Sequence, residues 1–151
     1  MTPEASGAFW EKDLEKFKLA LDNIADNVII TDPEGIVVYA NKAVETVTGY
    51  RPEEAVGKKS GALWKAPMPA EYYRHMWDVI KNRKKVFVGE IRNRRKNGMI
   101  YTAAISISPV LDKNGDIEFF VSVERDVTKE KEIDRAKSEF MSLASHQLRT
   151  P

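Results

Sequence analysis

Apolar and polar positions fall into three successive rhythms along the chain. Trp10, Leu14, Phe17, Leu21, Ile24 and Val28 recur at spacings of four and three, with Glu11, Lys12, Lys16 and Lys18 between them. That period gathers the apolar side chains on one face and predicts a helix over residues 8–25. The stripe is heptad-like for less than three heptads, which suits either packing on the following domain or a helix–helix dimer seam.

The middle of the chain reads as strands and turns. Asn27–Thr31 is β-rich, Asp32-Pro33-Glu34-Gly35 has tight-turn composition, and Ile36–Ala40 returns as a second strand. Asn41 is placed to cap a short helix ending near Gly49, and Arg51–Lys59 holds another short turn or helix. Pro69–Lys85 predicts a longer helix with Tyr72, Met76, Val79 and Ile80 on one side and a basic end. Three strand-like runs follow, Val86–Arg95, Met99–Leu111 and Ile117–Val127, joined by the hairpin signals Lys96-Asn97-Gly98 and Lys113-Asn114-Gly115. Ala103, Ile105 and Ile107 alternate with Ser106 and Ser108, and Phe119, Val121 and Val123 alternate with Phe120, Ser122 and Glu124. Two strands, several short helices and a three-strand meander predict an α+β domain. One five-stranded antiparallel sheet carries helices on one face, with a pocket between the layers.

After the last strand the helical rhythm returns. Ile133, Ala136, Phe140, Leu143 and Gln147 step by three and four, with Ala144 beside them and Asp126 or Thr128 as the cap. The chain thus divides into an amphipathic helix (1–25), a domain (26–128) and a second coiled-coil-like helix (129–151), expected to continue in a longer protein.

Composition narrows the chemistry. The 151 residues hold 24 Lys and Arg against 23 Asp and Glu, a net charge of +1, so there is no bulk attraction to nucleic acid or anionic lipid. The absence of cysteine excludes disulfides, thiolate metal sites and thiol nucleophiles, and with two histidines no metal site is expected. Neither a signal peptide nor a membrane segment is visible, which makes the cytoplasm the expected location. The run Arg92, Arg94, Arg95, Lys96 is expected on the solvated face of an edge hairpin.

Several short stretches, in order and spacing, carry a family resemblance. They are Ile30-Thr31-Asp32-Pro33-Glu34-Gly35, Val38-Tyr39-Ala40-Asn41-Lys42-Ala43, Thr48-Gly49-Tyr50 and Glu54-Ala55-Val56-Gly57. Gly89-Glu90, Arg95-Lys96-Asn97-Gly98, Ser106-Ile107-Ser108-Pro109-Val110 and Arg125-Asp126-Val127-Thr128 follow. Together, residues 24–128 resemble a PAS domain of the kind found in bacterial sensor kinases. The resemblance implies the PAS fold and makes Arg125, Asp126, Val127 and Thr128 the junction coupling the last strand to an output helix.

The tail, Lys137 to Pro151, resembles the start of the dimerisation and phosphotransfer (HisKA) helix of histidine kinases. His146 matches the phosphoacceptor, and Gln147 stands where that family usually has Glu or Asp. A neutral imidazole is a competent nucleophile toward a phosphoryl group, and an amide can still orient the ring. The implied protein is the sensory and relay part of a two-component kinase. It is homodimeric through both helical segments, with a response regulator as partner. Without an ATP-binding domain, the chain is expected to be inactive alone.

The resemblance also raises cofactors. Asn41, Ser60, Leu63, Trp64, Phe87, Ile105, Ile107, Val121 and Glu124 are the expected pocket residues. In the flavin-photosensor (LOV) branch the site reads Asn-Cys-Arg-Phe-Leu-Gln, matched here by Lys59-Ser60-Gly61-Ala62-Leu63-Trp64. Ser60 replaces the adduct-forming Cys, Gly61 the phosphate-binding Arg, Trp64 the Gln, and Glu124 the flavin-reading Gln of the last strand. Cysteine-adduct photochemistry is therefore excluded. A flavin (FMN or FAD) held by other contacts, with Trp64, Phe87 or Trp77 stacking on it, is the leading cofactor if there is one. Haem would need His75, but the family's axial histidine comes earlier, where Met68 and Pro69 stand, so His75 is expected at the surface or rim. A flavin- or haem-carrying receptor and a ligand-free dimerisation module are thus the alternatives.

Overall fold

In the computed structural model, which describes residues 3–149 and side chains from Asp13 to Arg149, helix α1 spans Pro3–Asp22. It begins and ends earlier than the apolar spacing predicts. Leu14, Phe17 and Leu21 belong to it, whereas Ile24 lies in the turn beyond and Val28 in the first strand. The Asn23 side-chain amide donates to the Leu19 carbonyl at 2.7 Å, and the Asn23 backbone N–H reaches Leu19 and Ala20 at 3.2 Å, closing the last turn. The β-branched run Val28-Ile29-Ile30 then favours strand. The expected Trp10 side chain of the seam, and Thr150-Pro151 of the tail, lie outside the described residues.

Five strands form one antiparallel sheet: β1 (Asn27–Thr31), β2 (Val37–Ala40), β3 (Phe87–Arg94), β4 (Ile100–Leu111) and β5 (Ile117–Asp126). Their order is β2-β1-β5-β4-β3, so the first strand sits beside the last. The Asp32 carboxylate accepts the N–H groups of Glu34 and Ile36 at 3.0 and 2.9 Å, turning the chain from β1 into β2. Gly98 and Gly115, at φ 90° and 83°, supply the left-handed residue that the β3–β4 and β4–β5 turns require. Arg92 and Arg94 are exposed on the edge strand β3, as expected.

Four helices connect β2 to β3: α2 (Ala43–Thr48), α3 (Pro52–Ala55), α4 (Ser60–Trp64) and α5 (Ala70–Trp77). The last runs on as a π-helical segment, Asp78–Asn82. Met76 and Ile80 are buried, and Tyr72 and Val79 pack beside them, which confirms the predicted inner side of this helix. Asn41 does not cap α2. That position belongs to Lys42, and the Asn41 side chain turns back to the α1–β1 junction instead. Its amide donates to the carbonyls of Leu21 and Asp26 at 2.8 and 3.0 Å, and its oxygen accepts the Val28 N–H at 3.0 Å.

The core has two parts. Ile29, Val37, Ala40, Val44, Ala55 and Trp64 pack beneath β1 and β2. Met76, Ile80, Phe87, Ile91, Tyr101, Ile105 and Phe120 pack beneath β3, β4 and β5. Helix α6 (Thr128–Arg149) leaves the sheet directly from β5 and buries none of its residues, with Phe140 and Leu143 69% and 64% exposed. No helix among the described residues is long and apolar enough to cross a membrane.

Candidate functional site

A cavity of about 190 Å³ lies where the two parts of the core meet. Ile29 and Trp64 reach it from one part, and Met76, Ile80, Ile91, Ile105 and Phe120 from the other. Trp77 stands at the rim with its ring edge toward Phe120, the centroids 6.4 Å apart. Lys65 also borders the cavity, its ammonium 4.4 Å above the Tyr73 ring.

Of the pocket residues expected from sequence, Ser60, Trp64, Ile105, Ile107 and Glu124 line this cavity. The others do not. Val121 falls on the opposite face of β5 because side chains alternate along a strand, so Phe120, Ser122 and Glu124 face inward together. Leu63 packs against the β1–β2 part of the core, and Phe87 is buried against Tyr72 at a centroid distance of 5.8 Å. Asn41 is wholly buried, with its side chain committed to the backbone of the α1–β1 junction. His75 is exposed and lies outside the cavity lining, its ring 6.1 Å from that of Phe87.

The polar chemistry sits at the inner end. Glu124 is 4% exposed and accepts hydrogen bonds from the Tyr101 hydroxyl and, at 3.1 Å, from the Asn93 amide. Burial pushes its carboxyl up to about 6, against the opposing pull of these two donors. Tyr101 is held well above the usual phenol range by its own burial and then by the Glu124 charge, so the shared proton stays on the tyrosine. Sequence reasoning missed Asn93 and Tyr101. The available signal was strand alternation: Asn93 follows Phe87 and Ile91 on the inward face of β3, a polar residue on an apolar row.

A second set of contacts leads away from this end. The Arg95 guanidinium lies 4.4 Å over the Tyr101 ring and donates to the Val47 carbonyl and to the Asp126 carboxylate. Asp126 also accepts the backbone N–H of Thr128 at 3.0 Å and its hydroxyl at 2.6 Å. Burial raises the Asp126 carboxyl, but the bonds from Arg95 and Thr128 outweigh it, and the net direction is down. The Thr128 hydroxyl oxygen accepts the Thr102 N–H at 3.0 Å, and the Val127 N–H donates to the Thr102 carbonyl at 2.9 Å. Arg125 instead ties the sheet to the turn after α1, its guanidinium 3.3 Å from Asp26. The four junction residues thus root α6 in β4 and the α1–β1 turn, and Asp126 connects to the cavity-lining Glu124 through Arg95 and Tyr101. His146 and Gln147 lie on the exposed part of α6, far along the chain from this junction.

Comparison with known proteins follows the same lines. The sequence profile of the PAS domain family matches residues 25–129. A nitrogen fixation regulatory protein of Klebsiella oxytoca is 27% identical over 142 residues, covering 93% of this chain and 28% of that protein. A blue-light-activated histidine kinase of Brucella anthropi is 28% identical over 127 residues, covering 82% of this chain and 26% of the kinase. The chain therefore spans little more than a quarter of the length of these curated relatives. Among solved structures, a PAS domain from Colwellia psychrerythraea superposes with a TM-score of 0.69 at 27% identity, covering 77% of this chain and 98% of that one.

Proposed function

The chain belongs to the PAS domain family, and on that premise we propose that it is the sensory and relay part of a cytoplasmic two-component histidine kinase. Residues 26–128 perceive the signal, and the flanking segments 1–25 and 129–151 carry it between the two chains of a homodimer. The observation that carries this reading is the line of contacts Glu124–Tyr101–Arg95–Asp126–Thr128, which runs from the cavity to the first turn of α6.

A change in the cavity alters what Glu124 bonds, and with it the position of Tyr101 and of the guanidinium stacked on it. Arg95 holds Asp126, and Asp126 holds the start of α6, so the helix shifts against its partner. In the full-length protein the γ-phosphoryl group of ATP then passes to an imidazole nitrogen of His146, leaving ADP, and from there to an aspartate of a response regulator. Radiolabel transfer in the full-length kinase tests this. His146→Ala abolishes labelling if the assignment holds, and label persisting in the variant overturns it.

A flavin-binding receptor without cysteine-adduct chemistry is a second reading, favoured by the aromatic walls Trp64, Trp77 and Phe120 facing Asn93 and Glu124. These side chains fit the ring chemically, by stacking on its faces and by hydrogen bonding at its amide edge. When bound, a flavin would supply redox- or light-dependent changes in ring protonation. The blue-region absorption band of oxidised flavin in the purified protein is the test, and a colourless, flavin-free preparation removes this reading.

A further inference from the structure

Glu124 ends the cavity as a buried carboxylate to which no cationic side chain is bonded among the described residues. Its two recorded partners are the Tyr101 hydroxyl on one oxygen and the Asn93 amide on the other, so each oxygen keeps an unused lone pair. The nearby cations are engaged elsewhere: Arg95 with Asp126 and the Val47 carbonyl, and Lys65 over Tyr73 at the exposed rim. Through space the Asp126 charge opposes that of Glu124 and the Arg95 charge favours it, and burial outweighs either. A buried charge with no cation bonded to it is costly, and a ligand that brings one recovers part of that cost on binding.

A second polar group lies beside it, behind the cavity lining. Asn27 pairs with Glu124 across β1 and β5, is completely buried, and has neither its amide nitrogen nor its oxygen hydrogen-bonded. Directly opposed residues of antiparallel strands are neighbours on one sheet face. Buried polar atoms are seldom left without partners unless a ligand or water supplies them. The rest of the lining includes the flat or apolar side chains of Trp64, Phe120 and Ile105, with Trp77 at the rim. A cavity of about 150 Å³ in another protein accommodates benzene, and this one measures about 190 Å³.

We propose that the cavity binds a small planar ligand of one or two rings bearing a cationic N–H head, of the amidinium or aminopyridinium class. The head bonds the free lone pairs of Glu124, and the ring lies between Trp64 and Phe120. This rests on the reading of the cavity as the sensory site. The carboxylate must be ionised to pair with the cation, and burial sets its titration at about 6.

Benzamidine and its neutral isostere benzamide, titrated calorimetrically into the 151-residue chain, test the proposal. Benzamidine is expected to bind saturably, with benzamide at least about tenfold weaker, the difference made by charge-assisted hydrogen bonds. Benzamidine affinity is expected to fall about tenfold from about pH 7.5 to about pH 5 as Glu124 takes up its proton. Glu124→Gln is expected to abolish the preference for benzamidine. The wild-type pH profile decides the question even if that variant folds poorly. Equal binding of the two probes, a preference that survives in Glu124→Gln, or a flavin already filling the cavity of the purified protein would overturn it. Benzamidine binding that leaves His146 phosphorylation of the full-length protein unchanged removes the sensory reading and leaves the ligand assignment standing. Intact signalling without discrimination between the probes does the reverse.

Discussion

The Arg95 guanidinium is bonded to the Asp126 carboxylate at the root of α6, the two side chains 23% and 29% exposed. With so little water between them, the pair is screened less than a surface ion pair. Asp126 also holds the Thr128 N–H and hydroxyl. Asp126→Ala is expected to cost about 2 kcal/mol in urea denaturation, from loss of a helix cap and a charge-assisted bond. Asp126→Asn keeps an acceptor for Thr128 and is expected to recover part of that. Faster amide hydrogen exchange confined to the first turn of α6 would place the loss at the junction.

Glu124 titrates the stability in an unusual direction for a carboxylate. Its folded pKa of about 6 lies above the ordinary value of 4.5, so its contribution is fully present below 4.5 and is lost as pH rises through 6. The whole step is about 2 kcal/mol. Glu124→Gln does not titrate, so its stability relative to wild type is expected to rise by that amount between about pH 4.5 and pH 7. Paired melts of the two proteins cancel the opposite titrations of Glu54, Asp78 and Asp126, whose carboxyls are all held below their ordinary values. A flat difference across this range would contradict the burial of Glu124 as a carboxylate without a cation.

Asn41 is a clamp between helix and sheet. Asn41→Ala strands the Val28 N–H and the carbonyls of Leu21 and Asp26 in or near the core. The expected cost is about 3 kcal/mol, as for other buried polar groups left unpaired. Chemical denaturation measures it, with Asn41→Asp, which can accept from Val28 but not donate, expected to be no better.

The apolar seam of α6 is fully presented to solvent in a single chain, with Phe140 69% exposed. If it joins two chains as proposed, Phe140→Glu is expected to move sedimentation equilibrium toward monomer without changing the thermal stability of the sheet domain. Loss of a hot-spot aromatic at a helix–helix seam, about 2 kcal/mol or more, lowers dimer affinity by about thirtyfold or more. An unchanged association constant would remove the dimer seam.

Local periodicity in the sequence was sufficient for the strands, the turns and the helix that continues β5, because each depends on neighbours within a few residues. Gly98 and Gly115 mark hairpins by their backbone freedom alone. Ala103, Ile105 and Ile107 declare one face of β4 by spacing alone. Ser60, Trp64, Ile105, Ile107 and Glu124 were legible as cavity residues for the same reason, together with the family resemblance. Val121 shows the limit: alternation sets it opposite Phe120 and Glu124, but with apolar residues in both rows only the pairing of β5 with β1 and β4 and the helices packed on the sheet decide which row faces the cavity. Asn41 shows it again, since a capping residue next to a helix serves that helix only if nothing distant competes, and the α1–β1 junction does. At the polar end of the cavity the sequence marked Glu124, and tertiary structure decided what gathers around it. Asn27, Asn93, Tyr101 and Glu124 come from four strands, and their meeting depends on the β2-β1-β5-β4-β3 order, a set of long-range pairings that no local pattern encodes.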